Sequence, residues 1–164
     1  MQITSFEDMY IAELQELRSL EGQLADALLR MAQMVSHPSL KDALMRHREQ
    51  SQVQEQRLDA MLRRHDANPA EHTDQAMQAL IAETEKMMSM VKGNDLRDAA
   101  LVASAQKVEH YEIAAYGTAA ALAGQLDYRD DQRLLHLSLQ EEKDTDMLLT
   151  CLAKIEVNQD ALAA

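Results

Sequence analysis

Acidic residues and one histidine interrupt four otherwise apolar helical faces in this 164-residue chain. Apolar residues three and four positions apart trace one face of a helix, and a carboxylate within such a face needs a partner or a cation. Carboxylate and imidazole groups together bind iron, manganese or zinc, and carboxylates can bridge two divalent ions. The interruptions are Glu21 in the first face, His47 to Gln54 in the second, Glu109 to Glu112 in the third, and Glu141 with its neighbour Glu142 in the fourth.

Each interruption lies near the middle of its own predicted helix. The middles of helices of similar length share one layer of a bundle, so the sequence predicts a single buried layer of carboxylates and imidazole. Burying carboxylates together is costly, and a cation or shared protons must offset the cost. In the fourth helix the apolar spacing favours Glu141 rather than Glu142 as the inward residue. A polar layer that only sets the register of the helices is the alternative interpretation.

Four long helices and one short helix are predicted to position this layer. A capping pattern at Thr4 or Ser5 begins the first helix, which ends at about residue 36 because the residue before Pro38 disfavours helical geometry. The others cover 38 or 39 to about 65, 74 to 91, 95 to about 124, and about 129 to 156. We therefore predict an all-α four-helix bundle, one domain over residues 1–164. The additional short helix lies either in a long crossover (67–94) between two hairpins or beside a plain up-down bundle.

Composition and charge exclude several classes of protein. Four Gly and two Pro are too few for a β-sandwich or β-barrel, which needs many turns. A net charge of −12 opposes binding to nucleic acid or to an anionic membrane surface. The single cysteine, Cys151, allows neither an internal disulfide nor a CxxC pair. Neither a signal peptide nor a run of about 18 apolar residues is present, so we expect a cytoplasmic protein without a membrane span.

Four stretches of the sequence carry a resemblance to a known family. The most specific is RDAALVASAQKVEHYEIAAYGT (97–118), and it is followed by EEKDTD (141–146). SLEGQL (19–24) in the first helix also agrees, and HREQSQVQEQRL (47–58) agrees more loosely. Together they resemble the YciF branch of the YciE/YciF family of ferritin-like bacterial proteins. The resemblance implies a ferritin-like bundle, commonly a homodimer, with a dinuclear metal centre and an association with stress responses.

The resemblance also implies a set of metal ligands in this chain. One departure is Gln50, where the family frequently has a glutamate, and Ser51 replaces the usual threonine. A neutral amide is a weaker ligand for hard cations, so one of the two expected iron or manganese positions is weakened or empty. The implied metal residues are Glu21, His47, Glu109, Glu112 and Glu142, with Glu141 and Asp146 as further participants. The resemblance thus favours Glu142 where the apolar spacing favours Glu141.

The leading functional hypothesis is a di-iron or di-manganese protein that acts on peroxide or O2 in oxidative-stress defence. Two bridged redox-active ions can exchange two electrons with peroxide. Tyr111, the candidate catalytic residue, and Tyr116 are close to the carboxylates in sequence and could relay oxidising equivalents; ring packing at the bundle interface is their alternative role. Because the chain has no CxxC pair, a peroxidase would need an external electron donor, whereas catalase-type disproportionation needs none. The alternatives are an iron-storage protein, which must form a cage, and a structural or interaction dimer without turnover.

Overall fold

The computed structural model describes residues 2–164, and their regular structure is entirely helical. Met1 of the predicted domain lies outside the described residues. Four long helices and one short helix between two hairpins confirm the predicted all-α, ferritin-like bundle. The helices are α1 (Phe6–Met34), α2 (Pro38–Arg64), α3 (Gln75–Met90), α4 (Asn94–Gln125), α5 (Arg129–Leu152) and α6 (Asn158–Ala163), with a short π-helical turn at Ala153–Val157 joining the last two.

Local sequence signals set the ends of the first two helices. Ser5 and Asp8 form a capping box at the start of α1, in which each side chain accepts a hydrogen bond from the other residue's backbone N–H. Pro38 begins α2, where its missing N–H and fixed φ cost nothing. The backbone N–H groups of Ser36 and His37 donate to Asp98 in α4, which fixes the tight α1–α2 connection against the second hairpin.

The two hairpins, α1–α2 and α4–α5, pack with α1 against α4 and α2 against α5. The bond from Ser36 to Asp98 brings the end of α1 to the start of α4, so these helices are antiparallel. Likewise, His65 at the end of α2 contacts Asp131 in the first turn of α5. Consequently α2 and α4 run parallel, and the chain between them crosses the full length of the bundle, which is the connection of ferritin-like folds.

The N-cap of the crossover helix α3, Asp74, forms hydrogen bonds with both hairpins. One oxygen of Asp74 accepts from the backbone N–H of Met77, and the other accepts from the hydroxyl of Tyr111 in α4 at 2.7 Å. The backbone carbonyl of Asp74 accepts from Gln23 in α1 at 3.0 Å. These bonds hold α3 across α1 and α4. None of the helices in residues 2–164 has the length and apolar character needed to cross a membrane.

Candidate metal centre

Four buried side chains from three helices converge in the middle of the bundle. His47 of α2, Glu109 and Glu112 of α4, and Glu142 of α5 each place one potential ligand atom within 4.8 Å of the others. His47 Nε2 lies 3.1 Å from Glu109 Oε1 and 3.4 Å from Glu112 Oε2, and its Nδ1 lies 3.8 Å from Glu142 Oε2. These four residues are called the ligand cluster below.

Most ligand atoms of the cluster have no hydrogen bond of acceptable geometry within residues 2–164. They include both ring nitrogens of His47, both carboxylate oxygens of Glu112, and one oxygen each of Glu109 and Glu142. Buried polar atoms are normally hydrogen-bonded, and the exceptions require an explanation such as a bound ion. Carboxylate and imidazole are donors that suit iron, manganese and zinc. The cluster therefore fits a metal ion.

Glu21 of α1 lies in the same layer, but its oxygens already have partners. Glu21 Oε1 accepts a hydrogen bond from the Tyr116 hydroxyl, and Oε2 accepts from Ser51 Oγ. All three side chains are fully buried. Helix α1 thus closes the layer with a carboxylate whose two oxygens are bonded to α2 and α4, whereas each carboxylate of the cluster keeps at least one oxygen without a hydrogen bond.

Burial and mutual repulsion raise the pKa values of the glutamates in this layer. Burial, with the nearby charge of Glu142, raises the pKa of Glu21 to about 8. Burial, with the charge of Glu112, raises the pKa of Glu142 to about 8. The pKa values of Glu109 and Glu112 also rise well above normal, mainly because both side chains are buried. The raised pKa values favour the protonated carboxyls when no cation is present, and a divalent ion can replace protons on such groups.

His47 is the side chain of the cluster that can carry a positive charge. Burial lowers its pKa, but the charges of Glu109, Glu142 and Glu21 outweigh that effect and raise the pKa above its ordinary value. The cluster has three carboxylates and Glu21 adds a fourth to the same layer, so one imidazolium cannot neutralise these groups when they are ionised. A divalent cation would supply the remaining positive charge directly.

The structure brings together five of the residues that the sequence indicated: Glu21, His47, Glu109, Glu112 and Glu142. Three others lie outside the cluster. Glu141 is half-buried and pairs with Arg57, at 2.9 Å from Nη2 to Oε1. Asp146 contacts His110 and Gln106 at the α4–α5 interface. Tyr111 bonds Asp74 on the crossover side, so Tyr116 is the tyrosine in the layer.

The apolar spacing predicted only part of the buried face of α5, because Ser138, Thr145 and Leu152 are buried as predicted but three other residues are not. It placed Leu134, Glu141 and Leu148 inward, but Leu135, Glu142 and Leu149 are the buried residues. Each predicted residue has a neighbour of the same type, so the sequence of α5 offers two faces of nearly equal apolarity. Packing against α2 and α4 selects the second face, which is the one that the family resemblance implied.

Gln54 of α2, which the spacing placed in the polar layer but which was not predicted as a ligand, contacts the cluster. It lies at the same helical face as His47 and Ser51, and its Nε2 donates to Glu142 Oε1. Gln50, the departure from the family pattern, is only half-buried and is not part of the cluster. The spacing identified Gln54 as a member of the layer, because it lies seven residues after His47 on one helical face, but it did not predict the bond to Glu142.

The donor set differs from the usual ferritin-like di-metal pattern, in which two helices each supply a Glu-x-x-His pair. In this layer α2 has Ser51 followed three residues later by Gln54, and α5 has Glu142 followed by Thr145. The single imidazole comes from His47, one turn before Ser51. The site is therefore rich in carboxylate and poor in imidazole.

A ferritin-like helical bundle with a buried carboxylate–histidine layer is the class of protein that these features define. Residues 5–162 match DUF892, a domain of unknown function, and the chain belongs to this family. It is 41% identical over 162 residues to Protein YciF of Escherichia coli strain K12, and the match covers 98% of each chain.

Two solved structures agree with this assignment. The crystal structure of the E. coli stress protein YciF matches with a TM-score of 0.90, covering 95% of this chain and 99% of that one. YcfI from Rhodopseudomonas palustris matches with a TM-score of 0.88 at 34% identity, covering 91% of this chain and 95% of that one. The resemblance to the YciF proteins is thereby confirmed.

Proposed function

We propose that this protein binds iron or manganese in the ligand cluster and acts on peroxide or O2 in oxidative-stress defence. The observation that carries the proposal is the set of buried, unpartnered ligand atoms on His47, Glu109, Glu112 and Glu142. Such an arrangement is costly in a protein that holds only protons there. Similarity to a stress protein of E. coli supports the physiological part of the proposal.

The two expected metal positions are unequal in this chain. The first ion takes its ligands from the four residues of the cluster, whose free atoms already lie close together. A second ion needs Glu21, and that carboxylate must first give up a bond from Ser51 or Tyr116. We therefore expect one tight ion and one weaker ion per chain. The departure at Gln50 predicted a weakened second position, whereas the inequality proposed here depends on the bonds of Ser51 and Tyr116 to Glu21.

Bound iron or manganese would supply electron exchange with peroxide or dioxygen. The chain itself contributes a layer that excludes bulk water, since the residues of the cluster are almost completely buried. Ser51 and Tyr116 hold the carboxylate of Glu21 in place at one edge of the layer. Disproportionation of two peroxides to water and O2 needs no further reactant, whereas peroxide reduction needs an external donor of two electrons.

The first test is metal content by mass spectrometry after reconstitution with Mn(II) or, separately, Fe(II). We expect one to two ions per chain, followed by O2 evolution from peroxide or oxidation of Fe(II). A Glu109→Gln/Glu112→Gln variant should lose the metal and both activities. Glu83→Gln/Glu85→Gln, which changes two exposed carboxylates of α3, serves as the matched control. Loaded protein that neither evolves O2 nor oxidises Fe(II) would contradict the proposal.

A structural role without turnover is the second candidate, and one relative favours it. YcfI from R. palustris, 34% identical to this chain, is a protein for which a structural role has been suggested. In that case the polar layer fixes helix register within a homodimer. Chelators would then leave the melting temperature unchanged, and sedimentation would show a dimer. A large cage-forming oligomer would instead indicate iron storage.

A further inference from the structure

A chain of hydrogen bonds connects the buried ligand cluster to the protein surface between α2 and α5. Gln54 Nε2 donates both to Glu142 Oε1 inside the cluster and to Glu141 Oε2 at 2.9 Å. Glu142 is completely buried, whereas the side chain of Glu141 is 23% exposed. One amide group therefore spans the distance between a cluster carboxylate and a carboxylate that solvent can reach.

Arg57 is bonded to Glu141 at the outer end of this series of hydrogen bonds. Its Nη2 donates to Glu141 Oε1 at 2.9 Å, and its Nη1 donates to Glu141 Oε2 at 2.5 Å and to Ser138 Oγ at 3.2 Å. The Arg57 side chain is 20% exposed, so the Arg57–Glu141 ion pair lies at the solvent-facing edge of the α2–α5 interface. A bidentate pair of this kind holds the Glu141 carboxylate in one orientation.

The other polar contacts of the layer do not lead to solvent. Ser51 and Tyr116 are fully buried, and Ser51 Oγ donates only to the carboxylate and backbone carbonyl of Glu21. Asp146 is partly exposed, but its contacts are with residues outside the cluster. Within residues 2–164, the hydrogen-bonded route from the cluster to the surface therefore passes through Gln54 and Glu141.

We propose that Glu141 is the residue that first captures a metal ion and that Arg57 keeps this route closed. The proposal rests on the metal binding proposed above. A divalent cation at the α2–α5 interface competes with the Arg57 guanidinium for the Glu141 carboxylate. Gln54 Oε1, which is buried and has no hydrogen-bond partner, offers the next oxygen ligand on the way to Glu142. Arg57 returns to Glu141 once the ion has reached the cluster.

A second arginine–glutamate pair in the same protein provides a matched control. Arg18 Nη2 lies 3.0 Å from Glu55 Oε1 across the α1–α2 interface, and the two side chains are 32% and 26% exposed. This pair resembles Arg57–Glu141 in chemistry and exposure. It has no bond to any residue of the cluster among those described, so it should influence stability without influencing metal uptake.

The test follows the uptake of Co(II) by metal-free full-length protein in a stopped-flow spectrometer, using the visible absorption of the bound ion. Glu141→Gln should slow uptake about tenfold, because it removes the charge that attracts the cation. The final amount of bound Co(II) should not change, and Glu141→Asp should restore much of the rate. Arg57→Met should accelerate both uptake and release. Arg18→Met and Glu55→Gln should leave both rates within about twofold of the wild-type rates.

The outcomes separate the two proposals. Normal Co(II) binding with an unchanged uptake rate in Glu141→Gln would overturn the capture role while leaving the metal site intact. An equal slowing in Glu141→Gln and Glu55→Gln would also overturn it, because a general structural effect would then explain the rate. Wild-type protein that binds no Co(II) at equilibrium would overturn the metal site and the route together. Circular dichroism of each variant identifies any that fail to fold, and Glu141→Asp then carries the test.

Discussion

Tyr116 in α4 donates a hydrogen bond to Glu21 in α1 at the level of the ligand cluster. Both side chains are fully buried, and the bond joins the first hairpin to the second across the core. Burial and the charge of Glu21 raise the pKa of Tyr116 well above normal, so its hydroxyl keeps its proton and remains a donor. The Glu21 carboxyl is thereby fixed at the edge of the layer.

Removing this hydroxyl should destabilise the metal-free protein. Tyr116→Phe leaves a carboxyl oxygen of Glu21 buried without a donor, which costs about 1–3 kcal/mol of unfolding free energy. Urea denaturation followed by circular dichroism measures the loss. Tyr128→Phe is the control, because the Tyr128 hydroxyl bonds Glu7 at the surface and its loss should have a smaller effect. Equal losses in the two variants would show that the buried bond contributes nothing particular.

The metal-free protein should become less stable as pH rises from about 5 to about 8. The pKa of Glu142 is about 8 in the folded protein and near 4.5 in the unfolded chain. Between these values the unfolded chain has released a proton that the folded protein still holds, so rising pH favours unfolding. Below 4.5 both states are protonated and the effect vanishes.

Glu142→Gln isolates this contribution, because glutamine does not titrate. Relative to the wild type, the metal-free variant should gain stability as pH rises through the same window and show no gain near pH 4. Urea unfolding with a chelator present, at pH 4, 6 and 8, measures the difference. Adding Mn(II) should stabilise the wild type at pH 8 and leave the variant less affected. A difference that is independent of pH would refute the assignment of a raised pKa to Glu142.

The stability that Asp131 contributes at the junction between α2 and α5 should change with pH in the opposite direction. Burial raises the pKa of Asp131, but hydrogen bonds with Arg64, His65 and Tyr10 outweigh it and hold the pKa below its ordinary value of 3.8. The stability from Asp131 is therefore fully present above about pH 4 and is lost as pH falls through the lowered pKa.

Asp131→Asn should consequently lower the unfolding free energy at pH 7 by about 1–3 kcal/mol, with the smaller part from Arg64, whose side chain is half-exposed. The deficit should shrink in acid, as the wild type loses the same charge. Asp130→Asn, one residue earlier and exposed, is the control and should leave stability unchanged. Thermal melts from pH 2 to pH 7 provide the comparison. A deficit that persists undiminished at pH 2 would contradict the role of the charge.

Much of the fold follows from the sequence because its signals are local. Pro38 fixes the break between α1 and α2, and the apolar face from Tyr10 to Val35 is buried along its length, Glu21 included. The register of α5 could not be predicted in this way. Its adjacent pairs Leu134–Leu135, Glu141–Glu142 and Leu148–Leu149 repeat every seven residues, and only contacts with other helices decide which member of each pair is buried.

In the candidate site, too, the features that follow from helical spacing could be predicted, and the contacts between distant helices could not. Glu109, Glu112 and Tyr116 lie on one face of α4, at intervals of three and four residues, so the sequence contained the signal for Tyr116. Tyr111 lies off that face and bonds Asp74 instead. The partner of Glu141 could not be predicted, because Arg57 is far away in sequence and reaches it only when α2 packs against α5.

The crossover that separates the two hairpins also separates the ligands. His47 belongs to the first hairpin, whereas Glu109, Glu112 and Glu142 belong to the second. Each hairpin can form through contacts that are near in sequence, but their docking must close the long loop through α3 and is therefore the slower step. The complete ligand set exists only after that docking. The proposed ion would thus bind late in folding, since a chain whose two hairpins have not docked lacks the full set of ligands.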